Sequence, residues 1–170
     1  LLKNTYCDQY SLLGMPDKWL ALYQRLYNRG PGILHWYYIQ KRMVKEAAPL
    51  VEREYAKSPD NPVWSGAMTQ LLALQGRHRE AQALGLRLVG KAPRDKYYHH
   101  VTYDLARVYA LDDNSAEALK WLRATVEAGF PCYTLFERDP FLDRVRQDPA
   151  FVQFMAEMKA RWEGYRREFG

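Results

Sequence analysis

Cysteine is scarce in this chain: Cys7 and Cys132 are the only two among 170 residues, and they lie far apart. That spacing excludes a disulfide-dense secreted scaffold and the close pairs of a zinc site. Both are expected as free thiols in a reducing compartment, with a single long-range disulfide as the alternative. No apolar run reaches the roughly 18 residues that a membrane span needs. The opening LLKNTYCDQY also lacks the layout of a signal peptide. A cytoplasmic location is therefore expected. Because the first residue is not Met, the chain is read as a fragment or processed product. Glycine-rich phosphate loops are missing, neither cysteine sits in a nucleophile motif, and strand patterns are nearly absent.

What is present points to a folded chain. Hydrophobic residues make up 48% and aromatic residues 14%, with 13 Tyr and 5 Trp, unlike the aromatic-poor profile of disorder. The length suits one domain that buries roughly 70% of its unfolded surface. Net charge is +5. Locally, Arg77, Arg79, Arg87, Lys91, Arg94, Lys96 and Arg107 outnumber Glu80, Asp95 and Asp104. Such an excess suits an acidic partner or nucleic acid and, more ordinarily, a solvated repeat face.

Three heptapeptides share a Glu-Ala pair: VKEAAPL at 44 to 50, HREAQAL at 78 to 84 and SAEALKW at 115 to 121. Ala47, Ala81 and Ala118 thus recur at steps of 34 and 37 residues. Pro59 and Pro93, Leu34 and Met68, and Tyr38 and Leu72 keep the step of 34, and Leu105 and Tyr109 continue the columns after an insertion of three. Periods of this length mark repeat architectures. Each unit splits into two amphipathic helices: Val101, Leu105 and Val108 share one helical face, and Leu119, Leu122 and Val126 share another after a break. Asp112-Asp113-Asn114-Ser115 forms that break, with Asn114 and Glu117 spaced as a capping box. Gly76 occupies the same place one unit earlier, where glycine accepts the left-handed conformation that ends a helix. Asn61-Pro62, Asp139-Pro140 and Asp148-Pro149 pair a capping side chain with a proline suited to the first turn. HWYYI at 35 to 39 has a strand-like composition, but its place in the repeat predicts a helix. In the first unit Tyr6, Tyr10, Gly14 and Pro31 stand near the column positions, although Pro31 precedes Pro59 by only 28 residues.

Few residues suggest chemistry. His78, Arg79 and Glu80 could act as base, cation and acid, yet adjacent helical side chains point about 100° apart and cannot converge on one substrate. The pair His99-His100 diverges for the same reason and has no cysteine or carboxylate at ligand spacing, so no metal site is expected. Asp112-Asp113 reads as a turn, and Asp139 and Asp148 read as caps. KAPRDKYYHH, 91 to 100, carries the ingredients of a single-strand contact, but repeat packing would use its tyrosines, which argues against nucleic acid. No catalytic residue, cofactor or enzyme activity is expected.

With Leu105-Ala106 and Tyr109 in a first helix, small Ala47, Ala81 and Ala118 in the second, and a 34-residue period ending near Pro59 and Pro93, the chain resembles the tetratricopeptide repeat. Gly76 matches that family's turn glycine, while Arg42 and Asp113 depart from it. The resemblance covers roughly residues 1 to 129, in units of approximately 1–31, 32–60, 61–95 and 96–129. GFPCYTLFERDPFLDRVRQDPAF, 129 to 151, is similar to the closing segment of tetratricopeptide regions in bacterial signalling proteins of the serine/threonine kinase, adenylate cyclase and winged-helix regulator types. A capping segment with two helices is expected over 130–170, because an open stack must cover its last apolar face. Phe151, Phe154, Met155, Met158, Trp162 and Tyr165 give its final helix the stripe to dock on the last repeat. In some family members a membrane helix precedes the repeats, which leaves an extracytoplasmic location open.

The resemblance implies an all-α right-handed superhelix of stacked antiparallel helix pairs, its concave groove lined by the first helix of each unit. Groove-facing positions are then Asp8, Trp36, Gln40, Gln70, Tyr103, Asp104 and Arg107, a mixture that suits an extended peptide or a partner's helix. Trp36 and Tyr103 serve equally as packing between helices. Members that clamp chaperone C-terminal carboxylates carry Lys, Asn and Arg there; Asn4 and Asp8 stand at the matching places, and Asp8 would repel a carboxylate. The expectation is a non-enzymatic scaffold that binds a protein or peptide or self-associates; the alternative is a ligand-sensing effector domain controlling an attached kinase, cyclase or DNA-binding domain. Ala81 is the sharpest structural test: a bulky replacement is expected to overpack the helix pair and cost about 1–3 kcal/mol, and wild-type stability on denaturant melting would mean that the repeat register is wrong.

Overall fold

The computed structural model describes residues 15–27, 34–92 and 98–169, and among these every regular element is helical. In chain order they are α1 (Pro16–Tyr27), α2 (Leu34–Gln40), α3 (Val44–Lys57), α4 (Pro62–Leu74), α5 (His78–Lys91), α6 (Tyr98–Leu111), α7 (Ser115–Glu127), α8 (Tyr133–Arg138), a 3-10 turn (Pro140–Val145) and α9 (Pro149–Phe169). HWYYI lies inside α2, so its place in the period outweighed its β-prone composition. Cys132 is a half-buried free thiol. Cys7, Asn4, Asp8, Tyr6, Tyr10, Gly14, Pro31 and Pro93 lie outside the described residues.

Capping residues start the helices where the sequence places them. Asn61 accepts hydrogen bonds from the N–H groups of Val63 and Trp64, and Asn114 accepts from the N–H of Glu117, so orphan donors of the first turn are satisfied by side chains. The Asp148 carboxylate likewise accepts from Ala150 N–H at 2.8 Å.

Helix ends repeat more faithfully than the residues that make them. Arg42, Gly76, Asp113 and Gly129 have φ of 54°, 77°, 58° and 93°. Each N–H bonds to the carbonyl three residues back, and the following N–H reaches five back: Gly76 to Ala73 and Arg77 to Leu72, Asp113 to Ala110 and Asn114 to Tyr109, with the same pattern at Arg42 and Gly129. This pair of hydrogen bonds is the Schellman closure. Arg42 adopts it despite a left-handed strain of roughly 1–2 kcal/mol for an L-residue, whereas Asp113 belongs to the short polar residues that visit this conformation as single residues.

The paired helices α2/α3, α4/α5 and α6/α7 contact one another within each pair and from pair to pair, and α2, α4 and α6 touch in succession along one face. Ala47, Ala81 and Ala118 are fully buried, one on the second helix of each pair. Gly85 serves the next junction, since a Cβ there would stand 2.7 Å from Leu105 Cδ1 and 3.4 Å from Thr69 Cγ2. Helix α6 is central: Thr102, Tyr103 and the whole run from Leu105 to Leu111 are buried, because α4, α5, α7 and the 3-10 turn surround it.

The closing segment contains α8 and the 3-10 turn as well as α9, one short element more than the expected two helices. Phe136, Phe141, Leu142 and Phe154 have no exposed surface. Helix α9 lies against α7 and α8 through Phe151, Phe154 and Met158, whereas Tyr165, expected in the same buried stripe, is 47% exposed.

Candidate functional site

Five residues of the groove set come together. Gln40 ends α2, Gln70 lies on α4, and Tyr103, Asp104 and Arg107 lie on α6. Positions 103, 104 and 107 share a face because i, i+3 and i+4 neighbours stack along a helix, and the succession of α2, α4 and α6 brings the two amides to the same place.

Arg107 is the centre of the cluster and is 5% exposed. Its Nη2 donates to Gln40 Oε1 at 3.0 Å and its Nη1 to Gln70 Oε1 at 3.2 Å. Its Nε donates to Asp139 Oδ2 at 2.6 Å, and the Tyr103 hydroxyl donates to the same oxygen. Gln70 Nε2 in turn donates to Asp104 Oδ1 at 2.9 Å. The guanidinium plane lies over the rings of Tyr103 at 4.6 Å and Phe141 at 4.8 Å, a favourable place for a delocalised cation.

The closing segment is thus seated on the face assigned to a groove. Asp139 acts twice: Oδ1 caps the 3-10 turn through Phe141 N–H at 2.9 Å, while Oδ2 meets Arg107 and Tyr103. Arg42 donates to the Pro140 carbonyl, Arg144 to the Leu111 carbonyl at 2.6 Å, and Arg146 to the Asp139 carbonyl at 2.7 Å. From the sequence alone Asp139 reads only as a cap. A signal for its second role was present, since an acid between Phe136 and the Phe141-Leu142 pair must find a cation once buried.

Trp36 stands apart from this cluster. It is half-buried and its ring lies 4.3 Å from that of Trp19 on α1, so it packs one helix on the next, as does Tyr103 in its own setting.

The electrostatics follow from one cation among two carboxylates. Burial works against the charge on Arg107, but Asp139, Tyr103 and Asp104 more than offset it and raise its pKa. Burial, helped by the Asp139 charge, holds the Tyr103 hydroxyl well above its usual value. For Asp104, burial pushes the carboxyl up to about 7 from 3.8, against the opposing pull of Arg107. Between those two values the folded chain holds a proton that the unfolded chain has released. The stabilisation from Asp104 is therefore complete below the unfolded value and is lost as pH rises through about 7. Replacing Asp104 with Asn should flatten the fall in melting temperature across this window; superimposable pH profiles for the two proteins would refute the assignment.

The other candidates disperse. Glu80 is held by Arg77 through contacts of 2.6 and 2.7 Å, and His78 Nδ1 stands 3.8 Å from Asp112. These side chains border an open depression of about 550 Å³ with Gly76 and Arg79. The rings of His99 and His100 lie 4.2 Å apart, closer than helical divergence predicts, and His99 stacks on Phe130 at 4.8 Å. Burial lowers the His99 pKa. Among the described residues no group of three His, Cys, Asp or Glu side chains could hold a metal ion, and no helix is long and apolar enough to cross a membrane. Of KAPRDKYYHH, residues 93–97 lie outside the described residues.

No protein-family model, no curated protein and no solved structure matches the chain.

Proposed function

We propose that this chain is a non-enzymatic protein-interaction module of a larger bacterial regulatory protein, folded as tetratricopeptide-type helix pairs in a right-handed superhelix. The observation that carries this reading is the grip on residues 139–145. The Tyr103 hydroxyl and the Arg107 guanidinium meet the Asp139 carboxylate and the Phe141 ring of one short segment, and the carbonyl oxygens of Gln40 and Gln70 hold the guanidinium in place. A row of this composition on the first helices is the chemistry with which a repeat wall holds a peptide. In this chain the segment held at Arg107 is its own, so the place proposed for a partner's segment or a second copy is the exposed part of half-buried Trp36 at the α2 end, beside its contact with Trp19.

A photo-crosslinking amino acid placed at Trp36, and separately at exposed Arg53 on α3, tests the reading in bacterial lysate. Protein adducts are expected from position 36 and not from position 53, with a flat thermal-shift screen against metabolites. A metabolite that raises the melting temperature, with no position-dependent adduct, would replace the scaffold by a ligand-sensing effector domain, because ligand binding to the native state must stabilise it.

A further inference from the structure

The buried stripe of α9 does not stop where the stack stops. Phe151, Phe154 and Met158 are buried, Trp162 is half-buried against Tyr133 at 5.5 Å, and Tyr165 and Phe169 are 47% and 76% exposed. From Met158 the spacing runs four, three and four residues through Trp162, Tyr165 and Phe169. That is the seam of a helix that pairs with another helix. About three turns, from Lys159 to Phe169, present it.

The charges that frame the seam select the occupant. Lys159, Arg161, Arg166 and Glu168 hold the flanking positions, three cations to one acid. All four are exposed, and among the described residues none of the three cations has an ion-pair partner; Arg166 lies over the Trp162 ring at 4.9 Å. A second copy fits poorly. Parallel pairing would set Arg161 against Arg166 of the other helix, and antiparallel pairing would set Lys159 against Arg166 while Arg161 meets Glu168, so the first register repels and the second gains no net attraction. A lipid surface also fits poorly, since the first half of the stripe is committed to α7 and α8 and only the short distal part could enter the interface.

We propose that the distal turns of α9 are a docking surface for an acidic amphipathic helix of another protein. The partner's apolar stripe lies on Trp162, Tyr165 and Phe169, and its carboxylates face Lys159, Arg161 and Arg166. This surface is separate from the common face of α2, α4 and α6, so the two proposals stand or fall independently.

The test uses the full chain and three probes: a helical peptide of about three heptads with Leu on its seam and Glu at the flanking positions, the same peptide with Lys in place of Glu, and phosphatidylserine–phosphatidylcholine vesicles. The Glu peptide is expected to bind saturably, more weakly at high salt, and at least about tenfold more tightly than the Lys peptide. The double variant Arg161→Glu/Arg166→Glu should weaken the Glu peptide roughly tenfold or more, and Tyr165→Ser/Phe169→Ser should abolish binding. Both variants should melt with the parent, since these side chains are exposed. Absence of saturable binding, equal binding of the two peptides, vesicle binding lost in the same variants, or dimerisation through α9 in sedimentation would each overturn the proposal.

Discussion

Arg107→Leu is expected to lower the unfolding free energy by about 3–5 kcal/mol in denaturant titration, because it leaves an uncompensated charge in the interior. Asp139 is 1% exposed and loses the cation that meets its Oδ2. Gln40 and Gln70 lose the donor to their carbonyl oxygens as well, and the Nε2 of Gln40 is already buried without a partner. Arg107→Lys should recover only part of the loss, since one ammonium cannot span three acceptors in a plane. The double variant Arg107→Leu/Asp139→Asn should be more stable than Arg107→Leu, because it removes the stranded charge. A cost below about 1 kcal/mol for Arg107→Leu, or no such recovery, would mean that the cluster does not organise the closing segment.

Ending the chain after Pro149 should have the second large effect. It removes Phe151, Phe154 and Met158, each 4% exposed or less, at about 1.5–3 kcal/mol of burial apiece. It also uncovers Phe136, whose ring lies 6.0 Å from that of Phe154. The sum is comparable to the roughly 5–15 kcal/mol that holds a domain together, so the melting temperature should drop sharply or the cooperative transition should vanish. Ending the chain after Glu163 should change little, because the residues beyond it are largely exposed. Unchanged melting after the first truncation would show that α9 does not cap the stack.

Much of this was legible in the sequence for a physical reason: helix pairing repeats, and repetition leaves a period. Ala47, Ala81 and Ala118, the caps at Asn61 and Asn114, and the left-handed Gly76 could all be read from it. The same register put Gln40, Gln70, Tyr103, Asp104 and Arg107 on one face, and they do meet. Two things escaped. Arg42 lacks the side chain that signals a left-handed turn, so only the packed helices around it reveal it. Residues 130–146 have no copy elsewhere in the chain, and pairing Asp139 with Arg107 is a long-range choice that periodicity cannot encode. Tyr165 continues the spacing of the buried stripe, but spacing alone does not say where the surface beneath a helix ends.

The hydrogen bond from Arg107 to Gln40 joins residues 67 apart, and that from Arg42 to Pro140 joins residues 98 apart. In a stack where each unit touches only its neighbours, the ends fray independently of the middle. These long bonds close a loop through the pairs from α2 to α7. Contacts of high sequence separation slow folding in general, and opening one end of such a loop is expected to release the other. Amides of α2 and of the 3-10 turn should accordingly exchange with solvent together, as one cooperative unit and not as two independent termini.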